Sequence, residues 1–201
     1  MPLPFTTDAY VSREEYYRWA EIQPHVRCER IDGRVVAMPP ERGAHLRVKA
    51  AVWVALRDAI RAAGVDCQAL PDGATVPSGD SDYEPDALVN CGPPMADDAL
   101  VAPNPVIVVE VLSPTTHGID TGGIDTGGID TGGIDTGAKL SGYFAVPSIR
   151  HYLIVHPTKR LVVHHRRSDG GASRIDTVIV SRVEIGLDPP GLTIDVAQFY
   201  G

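Results

Sequence analysis

Two hydrophobic periods alternate along the chain. Leu46, Ala50, Trp53, Leu56, Ile60 and Ala63 recur at three/four spacing and Gly64 follows, which predicts a long amphipathic helix closed by a C-terminal glycine. A first helix is predicted from about Arg13 to Glu21, because Ser12 and Glu15 stand in the S-x-x-E pattern of a capping box and Val11 and Tyr16 are spaced as a hydrophobic staple. Tyr16, Trp19 and Ala20 form its expected buried face. A short third helix is expected over Ala138 to Ala145, ending before Pro147.

Elsewhere the period shortens to that of strands. Cys28 to Met38 reads as two β segments around an Asp32-Gly33 turn, the commonest hairpin signal. Val65 to Leu70 and Ala74 to Val76 flank a Pro71-Asp72-Gly73 turn, and Pro77 to Asp82 is polar enough to predict a loop. Tyr83 to Val89 resumes as a strand that Pro85 confines to its start or to a sheet edge. Val106 to Leu112 is an apolar strand, Tyr152 to His156 and Leu161 to Arg166 form a hairpin, and Ile175 to Val180 adds another strand. The last stretch, from Gly191 to Tyr200, reads as a terminal segment docking on the core. Strands in the middle and at the end, with helices at the start and between them, predict a mixed α/β domain built on one sheet.

Composition narrows the class. The 201 residues suffice for one domain with a conventional core, and no apolar run approaches the ~20 residues of a membrane span. The N-terminus lacks the basic and apolar regions of a signal peptide, so the expected compartment is the cytoplasm. Cys28, Cys67 and Cys91 are odd in number and widely spaced, and are expected to be reduced and structural. The net charge of −8 discourages non-specific nucleic-acid binding unless basic residues gather on one face. Arg42, Arg47, Lys49, Arg57 and Arg61 are read either as lining a phosphate-facing groove or as the wet face of the long helix.

One polar residue breaks the apolar strand. Val106, Val108, Glu110 and Leu112 share a face, and a lone carboxylate inside a buried strand is costly unless paired. If Asp86 of the neighbouring strand lies on the same face, the two acids make an oxygen site suited to a hard divalent cation. Such an ion polarises a phosphoryl group and activates water, and a nearby lysine would stabilise transition-state charge. The bland alternative is that Asp86 starts a strand and Glu110 pairs with an arginine. Ser113 and Thr115 lack a nucleophile motif, and Asp80-Ser-Asp82 lacks the ligand spacing of a calcium loop.

Taken together and in order, the Cys28 to Met38 hairpin, His45 at the head of the long helix, Glu84-Pro-Asp-Ala-Leu-Val89, Val108-Val-Glu-Val-Leu-Ser-Pro-Thr-Thr116, Asp135 with Lys139 and Tyr143, and His151-Tyr-Leu-Ile-Val-His-Pro157 resemble the Uma2 family over almost the full length. That resemblance implies a restriction-endonuclease-like PD-(D/E)xK fold: one mixed sheet flanked by helices, here with an additional C-terminal β-hairpin region. It implies Asp86 and Glu110 as catalytic acids and metal ligands, the Val111 carbonyl as a further ligand, and Lys139 as the catalytic lysine. Leu112 stands where the general nuclease pattern has its lysine, which the family moves to the following helix. Glu29 is implied as an accessory acid. Tyr143, one turn beyond Lys139, is first a packing residue, and His45 first a helix cap or surface residue, each with a possible accessory role.

The expected function is therefore a Mg²⁺- or Mn²⁺-dependent endonuclease with one or two ions, hydrolysing DNA phosphodiesters. The alternative is a non-catalytic nucleic-acid- or protein-binding regulatory module that keeps the fold. No membrane partner is expected, and a homodimer is expected, if at all, through the hairpin at Leu153 to Val163. The GIDTG repeat, four copies from Gly118 to Gly137, has neither the 3.6 nor the 2.0 period and reads as a flexible loop inserted in the single domain of residues 1–201. Asp135 is expected to cap the helix that delivers Lys139.

Overall fold

The computed structural model describes residues 9–23, 25–112, 133–168 and 174–201. Helix α1 (Arg13–Ile22) begins with the expected capping box: Glu15 N–H donates to Ser12 Oγ at 3.3 Å while Glu15 Oε2 accepts from Ser12 N–H at 3.0 Å. Val11, Tyr16 and Trp19 bury themselves together with Cys28 and Val35, so α1 lies on the first hairpin. In that hairpin, β1 (Cys28–Ile31) and β2 (Arg34–Ala37) turn through Asp32 and Gly33, both at positive φ as an Asp-Gly turn requires.

Helix α2 (Gly43–Ala63) ends at Gly64, whose φ of 64° is the left-handed cap. Its buried face differs from the apolar reading: His45, Val48, Lys49, Val52, Ala55, Leu56 and Ile60 are inside, whereas Leu46 is 51% exposed. The helix is rotated because two polar residues, His45 and Lys49, belong to the inward stripe, and a pattern drawn from apolar residues alone passes over them.

The strands form more than the one sheet expected. Six make the main sheet in the order β10-β9-β8-β7-β6-β3, where β3 is Cys67–Pro71, β6 Ala87–Cys91, β7 Pro105–Val111, β8 His151–His156, β9 Leu161–Arg167 and β10 Ile175–Val180. It is mixed: β7 and β8 are parallel and the other pairs antiparallel. The segment read as a loop is instead a tight hairpin, β4 (Val76–Ser78) to β5 (Ser81–Tyr83), with Gly79 at positive φ supplying the turn. It joins β1 and β2 in a second sheet, in the order β2-β1-β5-β4. The expected hairpin of Tyr152 to Arg166 forms as β8 with β9, and a further one not read from the sequence, β11 (Glu184–Leu187) with β12 (Leu192–Asp195), precedes a short 3₁₀ helix, Val196–Tyr200.

Two hydrophobic clusters cover the two faces of the main sheet. On one, Ile107, Val109 and Val111 pack with Val52 and Leu56 of α2 and with Leu192, Ile194 and Phe199 of the C-terminal segment. On the other, Val108 and Ile154 pack with Tyr83 and with Tyr143 and Phe144 of helix α3 (Gly133–Ala145). This is the alternation expected for β7, and it leaves Glu110 on the α3 side. Helix α3 starts five residues earlier than expected, so the last copy of the repeat, Gly133 to Gly137, is helical and Asp135 is its third residue rather than its cap. The other copies lie outside the described residues.

Two further expectations change. Cys67 and Cys91 stand directly opposite in the β3/β6 ladder and form a disulfide; their separation of 24 residues gave no hint of a register contact, and only Cys28 is free. The hairpin proposed for dimerisation is internal: β8 lies between β7 and β9, β9 between β8 and β10, and Leu153 and Val163 are buried.

Candidate active site

The site grows from a mismatch in strand length. Strand β6 begins at Ala87, paired with Val109, while β7 continues to Val111, so the Val111 peptide groups extend past the end of β6. Buried backbone groups need partners, and here side chains supply them. Asp86 Oδ2 accepts from Val111 N–H at 2.7 Å, and His45 Nε2 donates to the Val111 carbonyl at 2.7 Å. A carbonyl can only accept, so Nε2 carries a proton. The N–H that Asp86 accepts belongs to the peptide linking Glu110 to Val111, so the Asp86 carboxylate is tied to the backbone that carries Glu110.

Lys49, one helical turn after His45, is 7% exposed and sits among three carboxylates: Asp72 Oδ2 at 2.7 Å, Glu41 Oε1 at 2.8 Å and Asp86 Oδ1 at 2.9 Å. Arg27 binds Glu41 and Asp72 from outside, each at 2.8 Å. Burial alone would push the Asp86 carboxyl up. The His45 hydrogen bond, the Lys49 charge and the Val111 N–H outweigh it and hold the group below its ordinary range. Likewise, burial favours a neutral His45, yet its bond to Asp86, the Asp86 charge, the Val111 carbonyl and Glu41 raise its pKa. Two atoms in this cluster, Glu41 Oε2 and His45 Nδ1, are buried without a hydrogen bond, 3.4 Å apart.

On the α3 side, Glu110 Oε1 accepts from Lys139 Nζ at 3.0 Å and from Tyr143 Oη at 2.6 Å. Lys139 also donates to Glu29 Oε1 at 3.0 Å, and that oxygen accepts the Glu84 N–H at 2.8 Å. Tyr143 is fully buried and its phenol pKa is raised well above its ordinary value, first by burial and then by Glu110, so it serves as a proton donor to that carboxylate. Glu84 stands between the two networks, where burial and then Glu29 push its carboxyl up to about 7.

Asp86, His45 and Val111 thus come together in one network and Glu110, Lys139, Glu29 and Tyr143 in another, joined through the Glu110–Val111 backbone. His45 is buried rather than a surface residue, and Tyr143 both packs and touches Glu110. Among the described residues, the potential ligand atoms gathered within 4.8 Å of one another belong to Glu41, His45 and Asp86; Glu110 is outside that group. The sequence reading missed Glu41, Asp72 and Arg27 as site residues and read Lys49 only as groove-lining or as part of the wet face of α2, whereas it is buried. Their signal was faint: Glu41, His45 and Lys49 recur every four residues in register with the apolar stripe.

The match with known families now has a geometry to rest on. The Uma2 family, described as "Putative restriction endonuclease", matches residues 13–197. The chain belongs to the Uma2 family. An uncharacterized protein of Synechocystis, slr1290, is 27% identical over 202 residues, covering 94% of this chain and 91% of the relative. A crystal structure titled a putative nuclease belonging to DUF820, from Anabaena variabilis, superposes with a TM-score of 0.65 at 14% identity, covering 94% of this chain and 97% of that one. The fold is therefore the restriction-endonuclease-like one.

The Uma2 residues fit a divalent cation. Glu29, Glu41, Asp72, Glu84, Asp86 and Glu110 outnumber Arg27, Lys49, Lys139 and His45, and at Glu84 burial first and the Glu29 charge second raise the carboxyl. The donors are hard carboxylate and carbonyl oxygens with one imidazole, a set that suits Mg²⁺ or Mn²⁺.

Proposed function

We propose that this Uma2 protein is a divalent-metal-dependent endonuclease that hydrolyses DNA phosphodiester bonds in the cytoplasm. The observation that carries the reading is the junction at Val111, where Asp86 binds the backbone N–H of the residue after Glu110 while α3 brings Lys139 to the Glu110 carboxylate. Asp86, Glu110 and the Val111 carbonyl would hold one or two Mg²⁺ or Mn²⁺ ions, which when bound supply Lewis-acid polarisation of the phosphate and a more acidic water. Lys49, His45 and the Val111 N–H keep Asp86 ionised and fix the plane of its carboxylate. Tyr143 and Lys139 set the orientation of Glu110 by binding one of its oxygens. Lys139 places a cation beside the position where charge would develop on a phosphoryl group, the role Leu112 cannot fill.

The test is cleavage of single-stranded, duplex and branched DNA with Mg²⁺ or Mn²⁺ by wild type, Asp86→Asn, Glu110→Gln and Lys139→Met. Wild type should cleave at least one substrate, and each variant should lose about two to four orders of magnitude, as expected for loss of a metal ligand or charge stabiliser. Cleavage by Glu110→Gln at the wild-type rate would overturn the reading, and cleavage of RNA alone would move it to another phosphodiester. The net charge of −8 favours the second reading, a non-catalytic binding module, and intact DNA under all conditions would support it.

A further inference from the structure

We propose that the ammonium of Lys49 is a built-in cation occupying a second ion position beside Asp86, so that the native protein takes a single exchangeable divalent ion. The single-ion part rests on the proposed function above; the position of Lys49 does not. Lys49 Nζ lies among three carboxylates, donating hydrogen bonds to Asp72 and Glu41 at 2.7 and 2.8 Å and ion-pairing with Asp86 at 2.9 Å, with its side chain 8% exposed. Three carboxylate oxygens converging on one buried point are the donor set of a metal ion.

The surrounding atoms agree. Glu41 also offers Oε2, which is buried and makes no hydrogen bond, and it faces at 3.4 Å the Nδ1 of His45, which makes none either, on a residue 5% exposed. Ligand atoms of Glu41, His45 and Asp86 lie within 4.8 Å of one another, close enough to share one ion. With Lys49 present, the local charge is already compensated and a second divalent ion would meet the ammonium. Without it, Glu41, Asp72, Asp86 and the imidazole become a site with mixed oxygen and nitrogen donors, which suits Mn²⁺. In the native protein Asp86 is shared, with Lys49 on its α2 side and the exchangeable ion on the Glu110 side.

The experiment counts Mn²⁺ bound per full-length chain by equilibrium dialysis with electron paramagnetic resonance of the free ion. Wild type is expected to bind one ion, lost in Glu110→Gln. Lys49→Met is expected to bind one ion more than wild type, at least tenfold tighter than any second ion in wild type. That added ion should survive Glu110→Gln and disappear with Glu41→Gln. An unchanged count in Lys49→Met overturns the proposal, as does a wild type that already holds two ions. No ion on wild type but one on Lys49→Met sustains the Lys49 cage and removes the Glu110 site instead. Because removing a buried cation from three carboxylates can unfold the chain, Lys49→Gln and thermal unfolding with and without Mn²⁺ are run in parallel. Mn²⁺ should raise the melting temperature of both variants more than that of wild type, and failure of Mn²⁺ to restore either fold counts against the proposal.

Discussion

Gly142→Ala separates helix propensity from site geometry. Alanine in a helix interior is favoured over glycine by about 1 kcal/mol, so an exposed site would gain stability. Here the new Cβ would lie 2.6 Å from Cε2 and 2.8 Å from Cζ of Tyr83, and closer still to its hydroxyl. Tyr83 cannot swing away freely: it is 4% exposed, its ring lies 5.1 Å from that of Tyr143, and the Lys139 ammonium sits 6.0 Å from its centroid. Helix α3 is also tied to the same β4/β5 hairpin, because the Gly142 carbonyl accepts from Ser78 Oγ at 2.7 Å. Restoring ordinary carbon contact requires a shift of roughly 1 Å, and overpacking of this kind costs about 1–3 kcal/mol. The same shift stretches the 3.0 Å bonds from Lys139 to Glu29 and Glu110, and misplacement by about 1 Å can cost on the order of 10²-fold in rate. Urea unfolding should therefore show a net change between none and a loss of about 2 kcal/mol, and metal-dependent cleavage should fall by about 10²-fold. Shortening the obstacle with Tyr83→Leu should make the double variant less impaired than the two single effects add up to. A Gly142→Ala protein that gains about 1 kcal/mol and cleaves normally would refute this account of how α3 is placed.

Three other outcomes follow from the same structure. Asp82 is fully buried and accepts from Arg30 at 2.6 Å, Arg13 at 2.7 Å and Tyr17 at 2.7 Å, so Asp82→Ala strands the buried Arg30 charge and should cost about 3–5 kcal/mol in chemical denaturation; a loss below 1 kcal/mol would contradict it. His151 Nε2 donates to the Pro189 carbonyl and its Nδ1 bonds His164 Nε2, and burial lowers both pKa values to about 4, so protons bind the unfolded chain first: stability is full above pH ~6.5 and falls toward pH 4, on the order of 2 kcal/mol per pH unit for the pair, and His164→Gln should flatten that slope in urea titrations between pH 7 and 4.5. Reducing the Cys67–Cys91 bond, which spans 24 residues, should lower stability by about 3 kcal/mol, read as a drop in the urea midpoint with a reductant that Cys67→Ser/Cys91→Ser reproduces without one.

Local signals made much of the fold legible in the sequence. Ser12 and Glu15 mark α1, Asp32-Gly33 marks the first hairpin and Gly64 ends α2, because caps and turns depend on residues within a few positions of one another. Glu110 was visible as a single charge in an apolar strand, and the family motifs led to Asp86, Lys139 and Tyr143. Only the tertiary structure decided which face α2 buries, since that depends on Asp86 and the sheet beneath it rather than on apolar spacing. It also decided the register that joins Cys67 to Cys91 and the division of the strands into separate sheets. Most consequential for the site, it decided that β7 outruns β6 at Val111. The groups exposed there draw in Asp86 and His45, Lys49 joins Asp86 from the same helix face, and an unpaired strand end becomes a cluster of charge. Pairing across strands is set by contacts between residues far apart in the chain, and the sequence carries no local trace of them.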